Sequence, residues 1–297
     1  AMARRIGDPA LLTSTCQSAF VVTWRPGTVE QRVELAAEAL AIAERMQDER
    51  MLVYARTLRA VVASETGDVA TYTACVTAAR DAAEEQRNLY ALAVLDSLEI
   101  PWAAMRGQFD RAGELLDHLQ SLGERMGLSQ QTDAVRGALL AIMVWQEQYE
   151  PVLEVLEAAR ADDALPLDAS VLSMLTRLGR LDEARAIRAT DELDFGGETW
   201  FSLLPWAMAA DAALPLHDAD LGATAYRLLA PHAGRMACAG SGVTLGPVDM
   251  YLAMAAAATG EHELAARHAD AALELCEQWQ VPLVSDWFAR QRDRYAF

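Results

Sequence analysis

The sequence predicts an all-α protein, built as a right-handed superhelical solenoid of antiparallel helix pairs. A junction recurs about every 40 residues, in which a glycine and a polar residue precede a bulky apolar residue, and a small residue follows three positions later. Residues 107–112 show it most clearly, with Gly107, Phe109 and Ala112. A fixed period of roughly 30 to 50 residues indicates repeated units that bury their apolar sides against their neighbours. The composition, rich in Ala, Leu, Glu and Arg, also favours helix over strand.

The first complete helix pair is predicted from the spacing of its apolar residues and from its end signals. Between Val29 and Met46 the apolar residues repeat at the period of one helical face, which predicts an outer helix. The stretch 48–66 also keeps one apolar face and ends at Gly67, which can take the left-handed conformation that stops a helix. Asp68 is then placed to cap the next helix, because its carboxylate can accept hydrogen bonds from the first free amides.

The same unit repeats to the end of the chain. Further helices are predicted at 69–86, 88–106, 109–126, 129–148, 149–161, 167–179, 181–190, 198–215, 219–231, 246–259, 261–279 and 282–296. Most connections are only about two to six residues long, which favours antiparallel neighbours and makes each pair a helical hairpin. Stacked hairpins are expected to form a superhelix with a concave groove. We expect almost no β structure.

Two connections are longer than the others. One covers residues 191–197, and the other covers 234–242 and continues through 245–247. Loops on such scaffolds often carry binding residues, but they can equally be insertions without a function. Both interpretations stay open from the sequence.

Charge and hydropathy exclude several partners. The formal net charge of −18 repels phosphate backbones, so we expect no direct contact with nucleic acid. No apolar run reaches the roughly 18 residues that cross a bilayer, and no charged-then-apolar signal sequence is present. We therefore expect a cytoplasmic protein without membrane contact. The four cysteines are far apart and form no C-x-x-C pair, so we expect reduced and mostly buried thiols.

No residue pattern predicts catalysis, a metal site or a cofactor in this segment. A phosphate-binding G-x-x-x-x-G-K-[ST] loop is absent from the sequence. Asp162 and Asp163 form one acidic pair without a second motif, so we interpret them as a solvated helix end. His262 occupies the apolar position of a repeat and is expected to be a packed, hydrogen-bonded imidazole. Ser241 lies outside a G-x-S-x-G motif, and no base can be assigned to it.

The repeat junctions resemble a known repeat family. The junction at 178–185, Leu-Gly-Arg-Leu-Asp-Glu-Ala-Arg, resembles the turn of tetratricopeptide repeats (TPR). The period exceeds their usual length of about 34 residues, which is typical of the longer repeats of MalT-like regulators. Further stretches resemble the C-terminal region of actinobacterial multidomain regulators, in which an ATPase module lies between a LuxR-type, SARP-type or cyclase domain and a repeat array. These stretches are 7–12, 24–32, 229–235, 242–252 and 266–273.

The resemblance implies that residues 1–297 form a single TPR-like domain at the C-terminal end of a longer protein. Residues 1–12 align with 41–52, so the chain is expected to start inside a repeat. An Ala-Met cloning remnant at the start is compatible with this expectation.

A set of aromatic and charged residues is expected to line the concave groove, because these residues fall on the helices that face inward in such superhelices. The set comprises Arg56, Arg59, Asp96, Glu99, Trp102, Arg136, Trp145, Trp200 and Trp206. Aromatic walls with a few charges can hold peptides or small effectors. The alternative is that these tryptophans fill the space between stacked hairpins.

We expect a non-catalytic sensory or protein-interaction domain of a bacterial multidomain transcriptional regulator. Its partner would be another protein, other domains of the same chain, or a small-molecule effector that favours one curvature of the array. Two alternatives stay open. One is a freestanding TPR scaffold that binds peptides or helices of another protein, and the other is an enzyme built on a helical toroid, which needs polar residues converging in one deep pocket.

Overall fold

A computed structural model describes residues 2–127, 130–160, 165–190, 193 and 195–297, and helices dominate this part of the chain. The helices are α1 (Met2–Ile6), α2 (Pro9–Val22), α3 (Val29–Met46), α4 (Glu49–Thr66), α5 (Val69–Glu85), α6 (Leu89–Met105), α7 (Phe109–Met126), α8 (Gln130–Trp145), α9 (Tyr149–Arg160), α10 (Asp168–Arg177), α11 (Leu181–Thr190), α12 (Leu203–Leu216), α13 (Ala219–Leu229), α14 (Val248–Ala258), α15 (His262–Trp279) and α16 (Pro282–Tyr295). The predicted all-α class is therefore confirmed. Within the described residues, none of the helices is both long and apolar enough to span a membrane.

Most helices end where the sequence predicts, because their end signals are local. Gly67 has a φ of +70° at the end of α4, and the Asp68 carboxylate accepts a hydrogen bond from the Thr71 amide at 3.1 Å at the start of α5. The largest difference is at α12, which was predicted to start near residue 198 and starts at Leu203. The amide of Thr199 instead donates to the Ser202 hydroxyl at 2.8 Å, which holds this stretch in a turn.

The second long connection contains a β-hairpin. Strand β1 (Met236–Ala239) pairs in antiparallel fashion with β2 (Val243–Pro247), and Cys238 faces Thr244 in the register. Almost all residues of both strands are buried, so they show no alternation of polar and apolar residues that a sequence pattern could detect. The described residues thus contain little β structure, as predicted, but the hairpin itself was not predicted.

The helices form an inner and an outer layer. The inner helices α6, α12 and α14 are buried on nearly every face, because apolar residues surround their axes. The outer helices α3, α7, α13 and α15 bury one face and expose the other. The inner layer therefore supplies most of the hydrophobic core.

Elements that are far apart in the sequence contact each other across the array. The amide of Gly27 donates to the Glu198 carboxylate at 3.1 Å, although the two residues are 171 positions apart in sequence. At a second contact, Trp279 of α15 packs edge-on against Trp102 of α6, with 6.3 Å between ring centroids. Repeats in an open array contact only their neighbours. These contacts therefore close the array.

The inner side of the closed array is occupied. Strand β1 packs against α4 and α12, β2 packs against α6 and α8, and α16 packs against α6. Trp145 on α8 meets Trp287 on α16 at a centroid distance of 6.4 Å. The open concave groove expected from the sequence is therefore not observed. Repeat spacing describes local pairing, so it cannot show where the hairpin and the C-terminal helix pack.

Candidate ligand-binding site

A cavity of about 740 Å³ lies between the β-hairpin and the inner helices. Helices α8, α9, α10 and α12 form most of its wall, and the hairpin, the end of α2 with Trp24, and Ser97 of α6 complete it. Small-molecule sites in proteins typically have volumes of roughly 300 to 1,000 Å³. The cavity therefore has the size of a ligand-binding site.

The wall of the cavity is mainly apolar. Its large side chains come from several elements and include Trp24, Leu140, Met174, Phe201, Met208 and Val243. Methionine is unbranched and polarizable, so Met174 and Met208 can adapt to ligands of irregular shape. Trp24 and Phe201 add rigid aromatic surface. This wall suits an apolar or aromatic ligand.

The polar groups of the cavity are few and differ in their surroundings. The Ser97 hydroxyl donates to the backbone carbonyl of Ala93 at 2.9 Å. Ser170 on α10 is only 4% exposed, and its hydroxyl has no hydrogen-bond partner among the described residues. Arg136 and Asp133 pair at 3.4 Å, and their side chains are 41% and 81% exposed. The charged groups of the wall are thus at its solvent-facing edge.

Exposed apolar side chains surround the mouth of the cavity. Trp200 is 46% exposed and lies over the hairpin turn, where a Cβ added to Gly240 would be 3.3 Å from its ring. Val21 is 61% exposed and Leu165 is 39% exposed. Phe201 packs edge-on against Trp200 at a centroid distance of 5.4 Å. Exposed apolar patches often mark binding sites, and this one leads into the cavity.

A second pocket adjoins the first. It has a volume of about 770 Å³ and shares Leu165, Trp200 and Phe201 with the cavity. Its wall is more polar and includes Asp168, whose carboxylate pairs with Arg160 at 2.5 Å. The three shared side chains therefore separate an apolar compartment from a more polar one.

Three of the residues predicted for the groove border these two pockets. Arg136 and Trp200 line the cavity, and Trp200 and Trp206 line the second pocket. Trp206 stacks on the imidazole of His232 at a centroid distance of 5.9 Å. Burial lowers the pKa of His232, and the positive charge of Arg235 lowers it further. The imidazole that packs on Trp206 therefore favours its neutral form more strongly than a free histidine does.

The structure places Trp102 and Trp145 in the core rather than on a binding surface. Trp102 is 1% exposed, donates its indole N–H to the Ser64 hydroxyl at 2.8 Å and stacks on Tyr72. Trp145 is 6% exposed and packs against Trp287. These two tryptophans therefore fill space between packed helices, which was the alternative to lining a groove.

Asp96 and Glu99 belong to an ion-pair network between α6 and the outer layer. Arg80 of α5 donates to Asp96 at 2.9 Å and to Glu99 at 3.0 Å, and His118 of α7 lies 2.8 Å from Asp96. Burial raises the pKa of Asp96, and the charge of Arg80 opposes this effect. Both carboxylates therefore face α5 and α7 and lie outside the cavity.

Arg56 and Arg59 also face the outer layer. Arg56 donates to the backbone carbonyl of Ala78 on α5 at 3.4 Å. The pKa of Asp68 is lowered mainly by its hydrogen bonds with Thr71, and nearby Arg59 contributes to the decrease. Neither arginine lines the cavity.

The histidine candidates lie outside both pockets. His262 is exposed at the first turn of α15, so its predicted packed position is wrong. His268, two turns later, contacts Asp249 at 3.0 Å and Tyr226 at 3.1 Å. The pair at 162 and 163 lies outside the described residues. In the described part of the chain, no group of three His, Cys, Asp or Glu side chains could hold a metal ion.

The cysteines are thiols, of which Cys16, Cys238 and Cys276 are buried and Cys75 is half-buried. Burial raises the pKa of Cys276 to about 12 and also raises the pKa of Cys238. Both thiols are therefore uncharged at neutral pH. The prediction of mostly buried thiols is confirmed.

Most of the cavity wall was not predicted from the sequence. Ser170 and Met174 lie one turn apart on α10, whereas Phe201 lies in the turn before α12 and Met208 in the second turn of that helix. Such residues are typical of any helical core, so no local pattern distinguishes them. The one available signal was the glycine-rich connection near residue 240, which does border the cavity.

Comparison of the chain with known protein families finds no match, and comparison with curated proteins finds none either. The size, chemistry and position of the cavity are therefore the grounds on which a function can be proposed.

Proposed function

We propose that this domain binds a small apolar effector in the cavity and acts, without catalysis of its own, as the sensory part of a larger regulator. One observation carries the proposal, namely a cavity of about 740 Å³ with a mainly apolar wall, which opens between exposed apolar side chains. An apolar wall of this extent that remains in contact with water is unfavourable, and a bound apolar molecule would cover it. A ligand that binds only the folded state would also stabilise the fold.

The position of the cavity suggests how binding could be transmitted. Its wall combines Trp24, near the N-terminal end, with helices α8, α9, α10 and α12 and with the β-hairpin that lies against α4 and α6. A ligand that touches all of these elements binds the closed array better than an opened one. Its differential affinity would shift the population towards the closed state, which neighbouring domains could detect.

The wider assignment rests on the resemblance of the repeats. Stacked helical hairpins with turns at Gly67, Gly107 and Gly179 support TPR-like units, and the right-handed superhelix stays a prediction. We propose that the domain belongs to a cytoplasmic multidomain transcriptional regulator of the LuxR or SARP type, and that its partners are other domains of that chain or another protein.

The two alternatives find less support. A scaffold for peptides would need an open groove, whereas the hairpin and α16 lie where the groove was expected. An enzyme would need converging polar groups, whereas the deep part of this wall offers the hydroxyls of Ser97 and Ser170. Binding of an apolar molecule is the function that this geometry favours.

The proposal is tested with phenylnaphthylamine, a neutral fluorophore whose emission increases in apolar surroundings. Two neighbouring alanines on α9 provide a matched pair of variants, because Ala159 lines the cavity and Ala158 is exposed. Ala159→Trp places an indole in the cavity, whereas Ala158→Trp places the same group in solvent. We expect Ala159→Trp to weaken binding about tenfold or more and Ala158→Trp to leave the affinity unchanged.

Circular dichroism of both variants controls for folding. Absence of saturable binding to the unmodified protein would contradict the proposal. An equal loss of affinity in the two variants would also contradict it, since the fluorophore would then bind elsewhere.

A further inference from the structure

We infer that the ligand is a neutral, mostly apolar molecule with one hydrogen-bond acceptor oxygen, and that the Ser170 hydroxyl is the group that binds this oxygen. The inference rests on the proposed function, because it specifies which apolar molecules the cavity selects. It makes Ser170 a specificity-determining residue.

The hydroxyl group of Ser170 is buried and has no hydrogen-bond partner among the described residues. Ser170 lines the cavity and is 4% exposed. A buried donor without an acceptor is unfavourable, and native proteins rarely leave one unpaired. An acceptor oxygen on a bound molecule would satisfy it.

Two nearby serines have hydrogen-bond partners within the protein, whereas the buried hydroxyls of Thr244 and Tyr149 are unpaired among the described residues but do not line the cavity. Ser173, one turn further along α10, is fully buried and donates to the carboxylate of Asp211. Ser97, across the cavity on α6, donates to the backbone carbonyl of Ala93 at 2.9 Å. The hydrogen of each hydroxyl is thus engaged within the protein. Ser170 therefore differs from both in having a hydrogen available for a ligand.

The charge distribution argues for a neutral ligand. The charged side chains of the wall, Arg136 and Asp133, neutralise each other at the exposed edge. A ligand charge placed near Ser170 would be buried without a counter-charge, which is much less favourable than burying a hydrogen-bonded carbonyl. A carboxylate or an ammonium group is therefore selected against.

A pair of rigid aromatic molecules of nearly equal shape tests the inference. Fluorenone carries a carbonyl oxygen where fluorene carries a methylene group, and each can be titrated as a competitor of phenylnaphthylamine. We expect the protein to prefer fluorenone by about three- to tenfold, the range that one net hydrogen bond supplies. Ser170→Ala should reduce this preference to near unity. Ser97→Ala truncates a hydroxyl of the same cavity and should leave the preference unchanged.

The outcomes separate the inference from the proposed function. If both molecules compete but Ser170→Ala does not change their ratio, the inference is wrong and the cavity still binds apolar molecules. If fluorenecarboxylate competes better than fluorenone, the neutral class is wrong. If phenylnaphthylamine does not bind the unmodified protein, the proposed function itself fails, and the inference fails with it.

Discussion

Gly67 shows how a single residue can serve both a local turn and a distant contact. Its φ of +70° ends α4, as the sequence predicts. The absence of a side chain has a second role, because the indole of Trp279 packs directly against this position. The glycine that ends α4 therefore also makes room for the contact between α4 and α15.

Replacement of Gly67 by alanine tests this double role. An alanine at this position would have to adopt the left-handed backbone conformation. Its Cβ would also overlap the indole ring of Trp279. The first effect costs about 1–2 kcal/mol, and the overlap adds roughly 1–3 kcal/mol. Gly179→Ala is the matched control, since Gly179 has a φ of +74° and no atom within 4 Å of the added Cβ. Urea unfolding should therefore show a clearly larger loss for Gly67→Ala, and equal losses would contradict the contact.

A buried ionic cluster holds the hairpin region to the first helix pair. Arg32 is fully buried and binds Glu65 through two hydrogen bonds, of 2.6 Å and 2.8 Å. Arg235, just before β1, pairs with the same carboxylate and donates to the carbonyl of Pro26 at 2.8 Å. Buried charges are tolerated when they are paired and hydrogen-bonded. This cluster fixes the orientation of the hairpin more specifically than apolar contacts would.

At the scale of elements, the sequence predicts what neighbouring residues determine. The Gly67 and Asp68 signals mark the end of α4 and the start of α5 because the hydrogen bonds involved span only a few residues. The sequence does not distinguish the roles of its tryptophans. Trp102 is 1% exposed and Trp200 is 46% exposed, although both were expected to line the groove. Their different roles depend on α15 and on the hairpin, which are distant in sequence. Such contacts leave no periodic pattern.

Helix α16 is expected to contribute strongly to the free energy of unfolding through its buried face, which carries Trp287. Trp287 is 4% exposed, packs against Trp145 and receives the guanidinium group of Arg177 over its ring at 4.2 Å. Trp287→Ala should therefore lower the free energy of unfolding by about 3–5 kcal/mol. Arg290→Ala on the same helix removes an exposed ion pair with Glu147 and should cost less than about 1 kcal/mol. Chemical unfolding measures both, and similar losses would show that α16 does not pack as described.

At the scale of the whole molecule, closure changes how stability is distributed. In an open solenoid each repeat depends mainly on its neighbours, so a weakened repeat loosens locally. Here α15 touches α6, which belongs to a hairpin far from it in sequence, through Trp279 and Trp102. Arg106 also donates to the backbone carbonyl of Trp279 at 3.5 Å. The last hairpin should therefore open together with α4 and α6.

Hydrogen exchange can measure this coupling in the Trp279→Ala variant. Loss of the indole removes the contact with Trp102 and the cover over Gly67, so we expect amides of α4 and α6 to exchange about tenfold faster or more. Tyr226→Ala is a control of similar kind, because Tyr226 contacts His268 between α13 and α15 and takes no part in the closure contacts. In that variant faster exchange should stay within α13 to α15. Faster exchange confined to α13–α16 in Trp279→Ala would instead indicate an open array, in which α15 does not stabilise α4 and α6.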